Sequence, residues 1–298
     1  MSSLKQSIQA ALHQFNQTDL FEAGIDLFTT LGYNTSHQSR LGDSSRAGFK
    51  TAFIAPGEAF DEKKALLIDW QQIELLFQLT QSEVISEASL FDTGTVDRTR
   101  IEAYLFWAVD LLPRINDDST PKPYTRTDLS QATRELNRLF PMPCLVLFRH
   151  DRCLTLAVID RRLHKRDETR DVLEKVTLIK DIAFDKTHPG HLSILEDLSF
   201  NKLFRAYRFD SFVALHRAWQ KTLDTSLLNK LFYEELFTWY LWAKNHPNLW
   251  FPKPDEEQLD GEAYRSVSVI RLLTRLMFVW FIKEKGLVPD ELFNRNHL

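Results

Sequence analysis

The spacing of hydrophobic residues divides the chain into a mixed part and a helical part. Apolar residues recur at helical spacing over 4–15 and again over 20–31. The run 102–111 is almost continuously apolar, which is typical of a strand that is covered on both faces. Two further apolar runs, 144–148 and 154–159, are separated by a short polar stretch and predict a β-hairpin.

Other segments give weaker patterns. The apolar residues of 49–54 and of 65–70 predict two more strands. The stretch 71–89 is ambiguous, although its apolar residues fit a helix. A helix is predicted over 128–140, with Thr127 as its N-cap residue.

Beyond about residue 200 only helical patterns remain. They cover 212–223, 227–245 and 264–285, and the third is apolar on nearly every side, which predicts a central position in a bundle. The expected fold is therefore α+β. Residues 1–200 would form a mixed α/β domain, and residues 201–298 an all-α connector bundle.

Composition narrows the functional class. A formal net charge of −4 means that bulk basicity does not drive nucleic-acid binding. The two cysteines rule out a disulfide framework and a zinc site built from cysteines. The first residues are polar, unlike a secretory signal, and the most apolar run contains Arg271 and Arg275, which argues against a membrane span. These features predict a cytoplasmic protein.

The motifs of common cofactor sites are missing. The sequence contains no GxG, GxxxxGK[ST], GxSxG or HExxH pattern. Because a Rossmann-type domain needs a glycine turn next to its cofactor, this chain is not expected to bind a dinucleotide or S-adenosylmethionine in the usual way.

Acidic residues at strand ends form the first candidate site. Asp69, Asp92 and Asp110 follow or precede apolar runs, and the order of predicted elements matches the αβββαβ core of many restriction endonucleases. In such a site two carboxylates hold Mg²⁺ and a lysine two residues after the second one assists the attacking water. Here that position is Leu112. The alternative is structural: these acids cap loops or pair with Arg114.

A basic cluster forms the second candidate site. The predicted hairpin brings Arg149 and Arg152 to one end and the run 161–166 to the other. Arginines on a rigid hairpin suit phosphate contacts, which makes these residues a candidate DNA-binding surface. Acidic residues follow it directly and would neutralise part of its field, so a solvated surface is the alternative. The predicted DNA-binding residues are Arg149, Arg152, Arg161, Arg162, Lys165 and Arg166.

Two segments together resemble a known family. One runs from 102 to 182 and includes WAVDL at 107–111 and YTRTDL at 124–129; the other is LLTRLMFVWFIKEKGLVP at 272–289. They are similar to the N-terminal region of type IIG-like restriction–modification proteins. Those proteins fuse an adenine-specific DNA methyltransferase to nuclease or accessory regions and to DNA-recognition regions.

The resemblance implies which part of a larger restriction–modification protein this chain would represent. The glycine-rich cofactor motif and the Asn/Asp-Pro-Pro-aromatic motif of the methyltransferase are missing here, so no cofactor is expected in this chain and S-adenosylmethionine only in a parent protein. The chain would be the portion that precedes the methyltransferase, with 201–298 leading into it. The expected partners are double-stranded DNA and the methyltransferase domain, in cis or in trans.

Three functions follow as hypotheses. The first is a non-catalytic accessory module that helps a restriction–modification methyltransferase to engage DNA. The second is a Mg²⁺-dependent endonuclease. The third is a pure interaction domain that docks on the methyltransferase, with Trp239, Trp242, Trp250 and Phe251 as anchors or as core residues.

Overall fold

A computed structural model describes most of the chain. It covers residues 3–38, 40–57, 59–80, 84, 103–116, 119–140, 142–164, 167–223, 225–252, 260–284 and 287, with only the backbone described for 160–164, 167–174, 225–231 and 284. Contacts divide the chain into two compact units, Met1–Leu223 and Asp224–Leu298. None of the helices in the described ranges is long and apolar enough to cross a membrane.

The first unit opens with three helices, α1 (Ser3–Gln14), α2 (Leu20–Thr30) and α3 (Arg46–Phe53). The first two confirm the predicted helices. The strand predicted over 49–54 is wrong, because Ser45 caps a helix there by accepting a hydrogen bond from the Gly48 amide. The apolar residues that suggested a strand lie four apart, on one side of this short helix.

A five-stranded mixed sheet follows. Its strands are β1 (Trp70–Thr80), β2 (Ala103–Leu111), β3 (Cys144–His150), β4 (Cys153–His164) and β5 (Asp167–Ala183), adjacent in that order. Helix α4 (Arg126–Arg138) connects β2 to β3, which are parallel, and every other neighbouring pair is antiparallel. Helix α4 starts two residues earlier than predicted, since Thr125 and Asp128 form its capping box.

The structure around strand β1 differs from two of the weaker sequence predictions, those for 65–70 and for 71–89. The segment predicted as a strand over 65–70 is a turn that ends in a short 3₁₀ helix, Leu67–Asp69, and the strand itself begins at Trp70. The helix-like spacing after it belongs to a strand. Because residues three apart lie on opposite faces of a strand, Ile73 and Leu76 pack in different cores, and a bulge between Leu75 and Phe77 then places Leu79 in the same core as Leu76.

The sheet separates two hydrophobic layers, and β2 supplies both. Tyr104 and Phe106 pack with α1 and α2, whereas Leu105 and Trp107 pack with α3 and α4. Nearly every residue of β2 is buried. This confirms the prediction of a strand that is covered on both faces.

Three more helices complete the first unit. They are α5 (Pro189–Asp197), α6 (Phe200–Tyr207) and α7 (Phe212–Thr222). Phe200, Phe212 and Trp219 belong to the same hydrophobic core as α1 and α2. This unit therefore extends to Leu223, beyond the boundary near residue 200 that the sequence suggests.

The second unit contains helices α8 (Thr225–Asn245) and α9 (Gly261–Glu284). Ala243 and Val269 are buried, and Lys244 forms an ion pair of 2.8 Å with Glu262, so the end of α8 lies against the start of α9. Residues 274–281 of α9 are all exposed. Among the described residues, nothing forms the bundle that the sequence predicts around this helix.

Candidate nucleic-acid interface

The last two strands extend beyond the rest of the sheet. Strand β4 pairs with β3 only from Cys153 to Ala157, but it pairs with β5 as far as His164. Residues 158–164 and 167–177 therefore form a two-stranded ribbon, which we call the ribbon arm. Its backbone pairing is continuous apart from register shifts after Ile159 and Leu163. Such a ribbon can present side chains well away from the core that supports it.

The ribbon arm carries the basic run of the sequence. Residues 161–166 include four Arg or Lys residues, one His and no acid. The backbone of Arg161 pairs with Leu173 and that of Arg162 with Val172, whereas Lys165 and Arg166 lie outside the described residues. Over 160–175 the sequence has six basic and five acidic residues, so the charges of the arm nearly balance, and four of the six basic residues belong to the run 161–166.

The other two predicted DNA-binding residues lie at the opposite end of β4. Arg149 makes a bidentate ion pair with Asp110, through Nε at 3.0 Å and Nη2 at 2.7 Å. Arg152 is 72% exposed and reaches Asp185 at 2.6 Å. Because each strand residue advances about 3.3 Å, about 30 Å of β4 separates these arginines from Arg162. The six predicted residues therefore form two groups and not one patch.

The ion pair at Arg152 is part of a small exposed network. Asp185 also accepts a hydrogen bond from Asn16 and contacts His13 at 3.0 Å. The guanidinium of Arg152 is the main reason why the pKa of Asp185 is lowered, and His13 adds to it. Arg152 is thus partly neutralised before any anion approaches.

The predicted acidic site is also divided. Asp69 accepts hydrogen bonds from Nε and Nη2 of Arg114, which reaches Asp128 at 3.2 Å and stacks on the ring of Tyr124. This is the structural role that the sequence offered as the alternative for Asp69. Asp110 pairs with Arg149, whose other contact is the Phe15 carbonyl oxygen.

The two carboxylates therefore serve different layers of the structure. Tyr124 belongs to the core on the α4 side of the sheet, and Phe15 to the core on the α1 side. The third predicted acid, Asp92, lies outside the described residues. In the part of the chain that the structure describes, no group of three His, Cys, Asp or Glu side chains could hold a metal ion.

A buried carboxylate on β1 was not predicted from the sequence. Glu74 is 1% exposed and accepts a hydrogen bond of 3.0 Å from Gln72, which also reaches Asp19. Its Oε2 atom has no hydrogen-bond partner among the residues that the structure describes. The available signal was a lone acidic residue inside an apolar run, and a buried carboxylate of this kind is costly without further compensation.

A histidine and a cysteine also meet at the β3–β4 turn. His150 and Cys153 are paired in register, and the ring of His150 contacts the Thr155 hydroxyl at 3.1 Å. Burial lowers the pKa of His150 and raises the pKa of the Cys153 thiol. Both shifts favour the neutral forms, so this pair does not resemble the thiolate–imidazolium pair of a cysteine nucleophile.

Comparisons with protein-family models, with curated proteins and with solved structures found no match to this chain. The resemblance to restriction–modification proteins therefore depends on the two sequence segments alone. At the level of the fold, the chain is an α+β protein with a mixed sheet between helical layers.

Proposed function

We propose that this chain is a DNA-engaging accessory module of a restriction–modification methyltransferase and is not catalytic by itself. The ribbon arm carries this proposal. A two-stranded β-ribbon is one of the two elements that the major groove of DNA admits, and the run 161–166 supplies four basic residues on this ribbon.

The charge distribution favours a local contact. The chain as a whole has a net charge of −4, so the attraction to DNA must come from the arm itself. Arginine suits this role because its planar guanidinium makes two parallel hydrogen bonds to phosphate. Such contacts position a protein on the duplex and carry no sequence information. The affinity of this module should therefore be independent of sequence and sensitive to salt.

A degenerate nuclease-like core is the second part of the proposal. Two antiparallel strands, a crossover helix and a parallel strand follow one another in β1, β2, α4 and β3, in agreement with the later part of the αβββαβ order. Arginine side chains form ion pairs with the two described candidate acids, Asp69 and Asp110. These pairs support a core that has kept the nuclease-like architecture and lost its metal site.

Equilibrium binding to a short fluorescent duplex tests DNA engagement. Replacing Arg161, Arg162, Lys165 and Arg166 by Gln should lower the affinity at least tenfold, since each lost phosphate contact weakens binding. The matched control replaces four exposed cations of the first unit, Lys63, Lys64, Lys186 and Arg205, by Gln. Equal losses in the two variants would show that net charge alone drives binding, and an unchanged affinity in the arm variant would refute the proposal.

The endonuclease hypothesis has its own test. It predicts Mg²⁺-dependent cleavage of unmethylated plasmid DNA, and Asp110→Asn should abolish that cleavage. In our account Asp110 is a partner of Arg149, so the unaltered chain should leave the plasmid intact with and without Mg²⁺. Cleavage that disappears in the Asp110→Asn variant would reverse this conclusion.

A further inference from the structure

The helical unit exposes far more aromatic surface than a solvated helix pair needs. Nine aromatic side chains of its described residues are between 38% and 78% exposed. A fully exposed aromatic side chain presents about 200 Å², so seven of them, all except Trp280 and Phe281, contribute about 800 Å² together. We call these seven the aromatic surface: Phe232, Tyr233, Phe237, Trp239, Trp242, Trp250 and Phe278.

This area has the size of one side of a protein–protein interface. The largest apolar patch on a monomer is usually about 300–600 Å², whereas a standard interface takes about 800 Å² from each partner. Exposed aliphatic residues of α9, such as Leu276 and Met277, add to the aromatic surface. The exposed aromatic residues of α8 lie on more than one side of that helix, so covering them takes more than one neighbouring helix.

Charged residues on the two helices are complementary. On α8, Glu234 and Glu235 line a groove of about 620 Å³ together with Trp239 and Trp242. On α9, Arg271 and Arg275 lie one turn apart and are exposed. Within the described part of the chain, Glu235, Arg271 and Arg275 form no ion pair, so these opposite charges do not neutralise each other inside one copy.

We infer that two copies of this chain associate through their helical units and form a four-helix arrangement. Helix α8 of each copy packs against α9 of the other, so that Glu235 faces Arg275 across the interface twice. A two-fold axis produces such reciprocal contacts, because residue i of one copy meets residue j of the other and the reverse also holds.

A second copy fits this surface for two reasons. A helix that is apolar on nearly all sides needs neighbours on several sides, and two helical hairpins together form a four-helix bundle. Glu235 on α8 and Arg275 on α9 belong to the same chain, so a two-fold arrangement lets each of them meet the other residue of the second copy. The inference is independent of DNA binding, since the ribbon arm lies in the other unit.

Sedimentation equilibrium of the full chain tests this association. The unaltered chain should give a monomer–dimer equilibrium. Glu235→Arg alone and Arg275→Glu alone should each weaken the dimer at least tenfold, because each creates two like-charge contacts across the interface. The double variant, Glu235→Arg with Arg275→Glu, should restore dimerisation, since the reversed charges again face each other.

An apolar change provides the second arm of the test. Replacing Trp242 and Phe278 by Ser should give a monomer, whereas Ile68→Ser, at a 74% exposed position of the first unit, should leave the dimer intact. A chain that stays monomeric at all concentrations would overturn the inference and assign the surface to a different protein. Open-ended aggregates, or single charge variants that the double variant does not rescue, would overturn it as well.

Discussion

His216 gives the most quantitative prediction about stability. This histidine lies on α7, is 6% exposed, and has its ring 5.4 Å from the ring of Tyr104. A contact of 3.0 Å joins its Nε2 atom to the side chain of Gln220. Burial lowers the pKa of His216 to about 4, because the charged imidazolium would lose its hydration among these groups.

The sign of the effect follows from the two pKa values. Above pH 6.5 the imidazole is neutral in both states and stability does not depend on its titration. Below that pH the unfolded chain binds a proton and the folded chain does not, so the free energy of unfolding falls with pH until the folded pKa is reached. The gap between 6.5 and about 4 corresponds to about 3 kcal/mol in total, of which about 2 kcal/mol is lost by pH 5.

Urea unfolding of the unaltered chain and of His216→Phe at pH 7 and pH 5 measures this contribution. The unaltered chain should lose about 2 kcal/mol more than the variant between these two pH values. His13→Gln is the control, because His13 lies on the surface with a side chain that is 49% exposed, and it should keep the pH dependence of the unaltered chain. The same loss in the His216→Phe variant as in the unaltered chain would refute the reasoning.

Three further substitutions test the framework of the first unit by urea unfolding. Asn137→Ala should cost about 3 kcal/mol, because the fully buried side chain of Asn137 accepts a hydrogen bond from the backbone N–H of Cys144, donates one to its carbonyl oxygen and so connects α4 to β3. A cost below about 1 kcal/mol would contradict this. Arg114→Ala should cost about 2 kcal/mol, and Arg114→Lys should recover only part of it, since lysine cannot bridge Asp69 and Asp128 in the same way; full recovery would show that charge alone matters. Trp107→Ala should cost about 4 kcal/mol through the cavity it creates, and a smaller loss would mean that the core collapses around it.

The sequence predicts those elements for which the spacing of apolar residues fits only one kind of secondary structure. The continuous apolar run of β2 could only be a strand buried on both faces, and the polar stretch between β3 and β4 could only be a turn. Helices α1, α2, α8 and α9 follow from regular spacing. In each case local periodicity and tertiary burial agree.

Other elements depend on information that the local pattern lacks. The bulge in β1 produces a helical spacing inside a strand, and the short helix α3 resembles a strand because only its two phenylalanines face the core. Strand β5 is rich in charged residues and has no apolar alternation over its first half, so only its pairing with β4 identifies it. The helical pattern of 212–223 predicts α7 but could not show in which unit it would pack, and α6 was not predicted.

The candidate sites also depend on tertiary information that the local sequence pattern lacks. The sequence identifies acids near strand ends and a basic run, but it does not show which arginine meets which acid. The pairing of Asp110 with Arg149 needs the parallel register of β2 and β3, in which these two residues are opposite each other. The buried Glu74 likewise follows only from the sheet, whereas the predicted hairpin already places Arg149 and Arg152 at one end and the run 161–166 at the other.

The dependence of DNA affinity on salt tests the central claim most directly. For the unaltered chain, the logarithm of the binding constant should fall linearly with the logarithm of the salt concentration. Neutralising the four basic residues of 161–166 should make that slope shallower by up to about 3.6, at about 0.9 for each lost phosphate contact. An unaltered chain without affinity for duplex DNA at low salt, or an arm variant with an unchanged slope, would contradict the account.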